Sequence, residues 1–91
     1  MTNVNDKPKK QFIARAMYHH REKTDRHVVL IVYSDGASTF ELFDTRDADG
    51  DYLAGDRRYV LEAWRKMNQE VIEAGFQRDQ LSGDNDFQQF I

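Results

Sequence analysis

The stretch from Asp56 to Gly75, DRRYVLEAWRKMNQEVIEAG, decides the fold that this sequence predicts. Its large apolar residues recur at spacings of three and four, which places them on one face of an α-helix. These residues are Val60, Leu61, Trp64, Met67, Val71 and Ile72. Asp56 is suited to cap the N-terminus, and Gly75 is suited to end the helix in the left-handed conformation. The stretch therefore predicts one long amphipathic helix whose apolar face packs on a core.

Three segments before the helix predict β-strands. Residues 11–20 alternate between apolar and polar side chains, and residues 27–34 form a continuous run rich in β-branched residues. Residues 37–44 alternate again. The pair Asp35-Gly36 predicts a two-residue turn between the second and third strands, because glycine tolerates the positive φ that such a turn needs. Short connections of this kind predict an antiparallel meander.

The segment after the helix, residues 76–81, is compatible with a fourth strand. The sequence thus predicts one α+β domain over residues 11–81. Its antiparallel sheet has three strands, or four if the last segment joins, and packs on one long amphipathic helix in the order β-β-β-α(-β). Residues 1–10 are predicted to form a flexible basic arm. Whether the C-terminal tail at 82–91 is ordered stays open.

The composition narrows the function classes. Ninety-one residues are enough for one domain with one core, and the chain contains no cysteine for disulfides or thiolate-bound zinc. Neither a signal-peptide core nor an apolar run of about 20 residues is visible, which predicts a soluble, cytoplasmic protein. No serine is framed by glycines as in a nucleophile elbow. The sequence therefore predicts neither an enzyme nor a bound cofactor.

Five aspartates crowd into residues 44–56, and their spacing resembles the outline of a calcium-binding loop. In that register the candidate ligands are Thr45, Asp47, Asp49, Asp51 and Asp56, with Gly50 at the bend. The pattern departs from such loops at both ends, since the first ligand is a threonine and the last an aspartate rather than a glutamate. The alternative is a solvated acidic turn in which Asp56 only caps the helix.

The same acidic loop predicts a protein partner. A dense carboxylate patch complements a basic groove that normally holds phosphates, and aromatic side chains at its edge would supply desolvated anchors. The candidate contact residues are Asp44, Asp47, Asp49, Asp51, Tyr52 and Tyr59. The leading hypothesis is a small non-enzymatic protein-interaction module. An inhibitor or accessory factor of a nucleic-acid-processing complex, of the kind that phages, bacteria and mobile elements carry, fits this size and charge.

A weak nucleic-acid binder is a further alternative. The basic arm carries three lysines, and aromatic side chains on the predicted sheet could stack on bases. These residues are Lys7, Lys9, Lys10, Tyr18, Tyr33 and Phe40. The net charge of −3 and the absence of a basic stripe argue against direct nucleic-acid binding as the main role.

One helix covers only one face of a sheet, so the sequence also predicts an exposed apolar face. Ile13, Met17 and Phe43 are expected there, together with one set of side chains from the central strand. Large exposed apolar patches usually mark an interface. Homodimerisation through this face, or docking onto a larger protein, would cover it.

Overall fold

The computed structural model describes residues 10–36, 38–46 and 52–91 and shows a five-stranded antiparallel sheet with two helices. The strands lie in the order β4-β3-β2-β1-β5. In chain order the elements are β1 (Gln11–His20), β2 (His27–Ser34), β3 (Phe40–Asp44), β4 (Tyr52–Gly55), α1 (Arg57–Glu73), β5 (Phe76–Gly83) and α2 (Asn85–Gln89). The predicted α+β fold with one long helix is confirmed.

The sheet is larger than predicted because of β4. This four-residue strand pairs with β3 and forms the edge of the sheet, within a segment that the sequence predicts as loop. The strand after the helix does form, and it pairs with β1 at the opposite edge. Because every neighbouring pair is antiparallel, β4 and β5 run in the same direction. The chain must therefore return along the sheet between them, and α1 makes that return across one face.

The core lies between α1 and this covered face of the sheet. Its sheet residues alternate along each strand, as the period of two predicts. The buried apolar residues are Ala14, Ala16, Tyr18, Val28, Leu30, Val32, Phe40, Leu42, Val60, Trp64, Val71 and Phe87. The buried face of α1 differs from the predicted stripe, since Asn68 is buried whereas Ile72 is 39% exposed. The helix is thus turned so that a polar side chain, not Ile72, meets the sheet.

Both predicted ends of α1 are confirmed. The Asp56 carboxylate accepts a hydrogen bond of 2.8 Å from the backbone N–H of Tyr59, which satisfies a donor that the first turn leaves unpaired. At the other end, Gly75 adopts a φ of 100° and its N–H donates to the carbonyl of Ile72 over 3.0 Å. Glycine is favoured here because a side chain is strained at this φ.

The connection between β2 and β3 has five residues instead of the predicted two. The N–H of Asp35 donates to the carbonyl of Thr39 over 3.1 Å, and the Asp35 carboxylate accepts from the N–H of Thr39 over 3.2 Å. These bonds join the two ends of the connection, and β3 begins at Phe40. Gly36 still has positive φ, at 88°, as the predicted turn requires of it.

A β-bulge interrupts the predicted alternation of β1. Phe12 pairs with Tyr33 and Ala14 pairs with Val32, which leaves Ile13 as the extra residue. Ile13 packs against the core cluster, so the prediction that it lies on the exposed face is wrong. Phe12, which strict alternation places beside Ala14, is instead 49% exposed.

The C-terminal residues are part of the domain. Phe87 of α2 is fully buried, and its carbonyl accepts a 2.7 Å hydrogen bond from the indole N–H of Trp64. Arg57 at the start of α1 donates to Asp84 and to Asp86 over 2.9 Å each. These contacts attach the last residues of the chain to the N-terminal half of α1.

Candidate protein-interaction surface

The side of the sheet that faces away from α1 carries side chains from the three central strands. They alternate with the core residues and are opposite one another in the strand register, so they share one face. We call this set the uncovered face: Phe12, Arg15, Met17, His19, Val29, Ile31, Tyr33, Glu41 and Phe43. Apart from Phe12, these side chains are half-buried within the sheet itself. The described residues contain no second layer on this side.

The centre of the uncovered face is apolar. Val29, Ile31 and Tyr33 follow one another along β2, the middle strand of the sheet. Met17 lies opposite Val29, and the rings of Tyr33 and Phe43 meet edge to face with centroids 5.9 Å apart. The apolar side chains are therefore contiguous rather than scattered, which is the arrangement that marks an interaction site.

Arg15 lies inside this apolar area, opposite Ile31. Its Nε is buried and has no hydrogen-bond partner among the described residues, and its guanidinium forms no ion pair with them. A buried donor without an acceptor costs about 1–3 kcal/mol, so native structures rarely leave one unpaired. The same guanidinium also lacks a carboxylate partner in the described part of the chain, so a carboxylate of a bound chain would pair with whichever of its nitrogens is accessible, whereas the enclosed Nε would need the side chain to move.

The rim of the uncovered face is charged. Lys10 Nζ lies 2.8 Å from Glu41 Oε1 and 5.4 Å from the centroid of the Phe43 ring. On the β5 side, His19 Nδ1 lies 2.5 Å from Asp79 Oδ1. An apolar centre with a polar rim is the usual anatomy of a protein interface.

The predicted acidic site is only partly described. Asp44 ends β3 and is held by Arg46, whose Nη2 lies 2.6 Å from Asp44 Oδ2 and 3.7 Å from Glu70 Oε1. The hydrogen bond to Asp44 raises the pKa of Arg46, so this arginine stays charged. Asp47, Asp49, Asp51 and the side chain of Tyr52 lie outside the described residues.

Tyr59, the other predicted contact, is not beside Asp44. Its ring is 52% exposed on α1 and lies next to Gly55. Gly55 pairs with Phe40 at the start of β3, whereas Asp44 is at the end of that strand. Tyr59 and Asp44 therefore lie at opposite ends of the β3–β4 hairpin and do not form one patch.

The same hairpin separates the two ends of the predicted calcium loop. Thr45 follows β3 and Asp56 follows β4, which places their backbones about 20 Å apart along the strands. Ligands of one calcium ion lie within about 5 Å of each other, because each oxygen is roughly 2.5 Å from the ion. Thr45 Oγ1 instead accepts from the N–H of Val29 over 2.9 Å, and Asp56 caps α1.

No cluster of three His, Cys, Asp or Glu side chains that could hold a metal ion occurs in the part of the chain that the structure describes. The predicted stacking platform for nucleic acid is also not available as a whole. Tyr18 and Phe40 belong to the core under α1, where they are 1% and 8% exposed, so that part of the prediction is wrong. Tyr33 does lie on the uncovered face. Lys7 and Lys9 lie outside the described residues.

Arg15 is the residue that sequence reasoning missed. A single arginine in an alternating strand is normally solvated, and the sequence gives no sign that its neighbours across the sheet are apolar. Only the register, which sets Arg15 beside Ile31 and then Phe43, shows that its Nε is enclosed.

The chain matches no protein-family model, no curated protein and no solved structure. Neither of the described helices is both long and apolar enough to cross a lipid bilayer.

Proposed function

We propose that this protein is a non-enzymatic interaction module whose uncovered face binds another protein chain. The observation that carries the proposal is the half-buried Arg15, which forms no ion pair among the described residues although it is set among the apolar side chains of Met17, Ile31 and Phe43. A bound chain would cover the apolar area and could supply a carboxylate for the Arg15 guanidinium at the same time.

The negative charge of the acidic loop over residues 44–51 favours a partner with a basic surface. Arg46 is the only cation between residues 44 and 56, and it is engaged with Asp44 and Glu70. Three more aspartates follow in the sequence. A partner surface that normally holds nucleic-acid phosphates would be complementary to this charge, so an inhibitor or accessory factor of a nucleic-acid-processing complex is the role we propose.

Two matched isoleucine substitutions test the uncovered face. Ile31→Lys places a charge in its centre, whereas Ile72→Lys places the same charge on an exposed part of α1. We expect proteins captured from a bacterial lysate by the wild-type chain to be retained by Ile72→Lys and lost with Ile31→Lys. Thermal melting of both variants checks that they fold. Equal capture by the two folded variants would refute a binding role for this face.

A second pair of variants tests the acidic loop. Reversing Asp47, Asp49 and Asp51 to lysine should weaken capture of the same partner, and raising the salt concentration should weaken the wild-type interaction as well. The control reverses three exposed acidic residues outside the loop, Glu22, Glu62 and Glu73. If both reversals reduce capture equally, the effect is one of net charge and the loop has no specific role.

A further inference from the structure

We infer that a second copy of this chain covers the uncovered face, in a two-fold dimer whose axis runs close to β2. This inference rests on the proposed function, because it assigns an identical partner to the face proposed to bind protein. The reasons lie in the strand order and in the distribution of charge across the face.

The strand order makes the face self-complementary. β2 is the middle strand, with β1 on one side and β3 on the other. A two-fold axis along β2 exchanges these sides, so that β1 of one copy meets β3 of the second. Such an isologous contact requires that the two flanks complement each other.

The two flanks carry opposite charges. Arg15 on β1 has no ion pair among the described residues of its own chain. Glu41 and Phe43 are the outward residues of β3, and Oε1 of Glu41 lies 2.8 Å from Nζ of Lys10 in the same chain, so in the dimer its carboxylate would be shared between Lys10 and Arg15. In the dimer, the guanidinium of Arg15 would face the carboxylate of Glu41 and the ring of Phe43 from the second copy. Both are favourable partners for a desolvated arginine. The two-fold axis makes each such contact twice.

The residues on the axis suit contact with their own copies. Val29, Ile31 and Tyr33 are uncharged, so placing β2 against β2 brings no like charges together. Two sheets that pack face to face in this way keep their strands within about 30° of each other, which a two-fold axis near β2 allows. The centre of the interface is then apolar and its flanks are charge-paired.

The size of the face predicts a weak dimer. With strands about 4.8 Å apart and a rise of about 3.3 Å per residue, the five strands have a footprint of about 500 Å². Stable interfaces typically bury about 800 Å² on each partner. We therefore expect a dimer that dissociates on dilution through the micromolar range.

The dimer also has a consequence for the acidic loops. A two-fold axis parallel to β2 does not reverse the direction of the strands. Asp44 of each copy therefore lies at the same end of the dimer. The two copies of Asp44 would then approach one basic surface together. Two linked contacts bind more tightly than either alone.

The test is sedimentation equilibrium of the full chain over a hundredfold range of concentration. The wild type should change from a mass of 10.7 kDa to twice that value as concentration rises. Arg15→Glu and Glu41→Arg should each raise the dissociation constant at least tenfold, and the chain that carries both substitutions should recover most of the affinity. Arg58→Glu, on the exposed side of α1, is the matched control and should leave the dimer unchanged.

An equimolar mixture of the two single variants sharpens the test. In a two-fold dimer of one Arg15→Glu chain and one Glu41→Arg chain, each of the two contacts sets a glutamate against an arginine, so the mixture should recover affinity as a heterodimer. Recovery in both the double variant and the mixture supports the inference, whereas recovery in the double variant alone means that residues 15 and 41 pair within one chain and overturns it. A monomer at every concentration, or a dimer that neither single variant weakens, overturns it. In that event the proposed function is still judged separately, by whether Ile31→Lys loses a captured protein.

Discussion

The hydroxyl of Tyr18, in the middle of the sheet, donates a hydrogen bond to the side-chain carbonyl of Asn68 in the buried face of α1. Both residues are about 1% exposed. The amide nitrogen of Asn68 in turn donates to the carbonyl of Trp64 over 2.7 Å. Because a buried polar group is costly unless it is paired, this network favours the one position of α1 in which Asn68 meets Tyr18.

Removing either partner of this hydrogen bond should destabilise the protein. We expect Tyr18→Phe and Asn68→Leu each to cost about 1–3 kcal/mol of unfolding free energy, because each leaves a buried polar group unpaired. The double variant should cost clearly less than the sum, since it leaves neither group behind. Urea unfolding of the four proteins measures this. Additive costs would mean that the two side chains do not depend on each other.

The C-terminal residues should be needed for stability. The ring of Phe87 lies inside the core, where its centroid is 5.9 Å from that of the Trp64 ring and 6.4 Å from that of the Phe40 ring. Phe87→Ala should therefore cost about 3–5 kcal/mol, the usual cost of truncating a buried aromatic residue. Phe90→Ala is the control, because Phe90 is 40% exposed and its loss should cost less than about 1 kcal/mol. Similar melting temperatures for the two variants would contradict this placement of α2.

The elements that sequence reasoning found are those with a long periodic pattern. The seventeen residues of α1 and the strands β1 and β2 each repeat their pattern often enough to be recognised. In contrast, β4 has four residues and α2 has five, which is too short for a period to appear. Both depend on partners distant in the sequence, as Phe87 does on Trp64. The burial of Asn68 is not predictable from the helical pattern for the same reason, since only its hydrogen bond with Tyr18, fifty residues away, explains it.

The candidate site was predictable only in part. The position of Met17 and Phe43 on the sheet face away from α1 follows from alternation together with a single covering helix, and the structure confirms this position although both side chains are half-buried. The positions of Arg15 and Ile13 depend on the bulge in β1 and on the strand register, which no local pattern encodes. The acidic residues of the candidate site are visible in the sequence as a cluster of negative charge. The pairing of β3 with β4, which separates Thr45 from Asp56, is not visible there.

Asp84 should make the stability of the protein depend on pH in the acidic range. Burial acts to raise the pKa of Asp84, but hydrogen bonds from Arg57 and from the N–H of Asp86 outweigh it and hold the pKa below its usual 3.8. A carboxyl group whose pKa is lower in the folded state stabilises that state above the unfolded pKa. This contribution should therefore be complete above about pH 5 and be lost as the pH falls through 3.8 and below.

Asp84→Asn isolates this contribution. Asparagine still caps α2 but carries no charge for Arg57 to bind. We expect the difference in unfolding free energy between wild type and variant to be largest near neutral pH and to shrink as the pH falls toward 3. Urea unfolding at several pH values measures it. A difference that stays constant down to pH 3 would mean that ionisation of Asp84 does not stabilise the fold.

Two glycines should respond very differently to substitution by alanine. Gly83 has a φ of 112°, and a Cβ there would lie 2.1 Å from the carbonyl oxygen of Ile13, which is fixed backbone at the bulge of β1. The N–H of Asp84 donates to that same oxygen over 2.7 Å, so the oxygen cannot move away without losing this bond. We therefore expect Gly83→Ala to cost about 3 kcal/mol or more, from strain and overlap together.

Gly55→Ala is the matched comparison, because its Cβ would also overlap a neighbour, at 2.4 Å from Cδ2 of Tyr59. That neighbour is an exposed ring that can rotate into solvent, and Gly55 does not have positive φ. Its substitution should cost less than about 1 kcal/mol. Urea unfolding of both variants tests the contrast. Similar losses of stability would mean that the close contact between Gly83 and the Ile13 carbonyl does not restrict which residue is tolerated at the end of β5. The contact between β5 and the bulge of β1 would then be looser than this geometry implies.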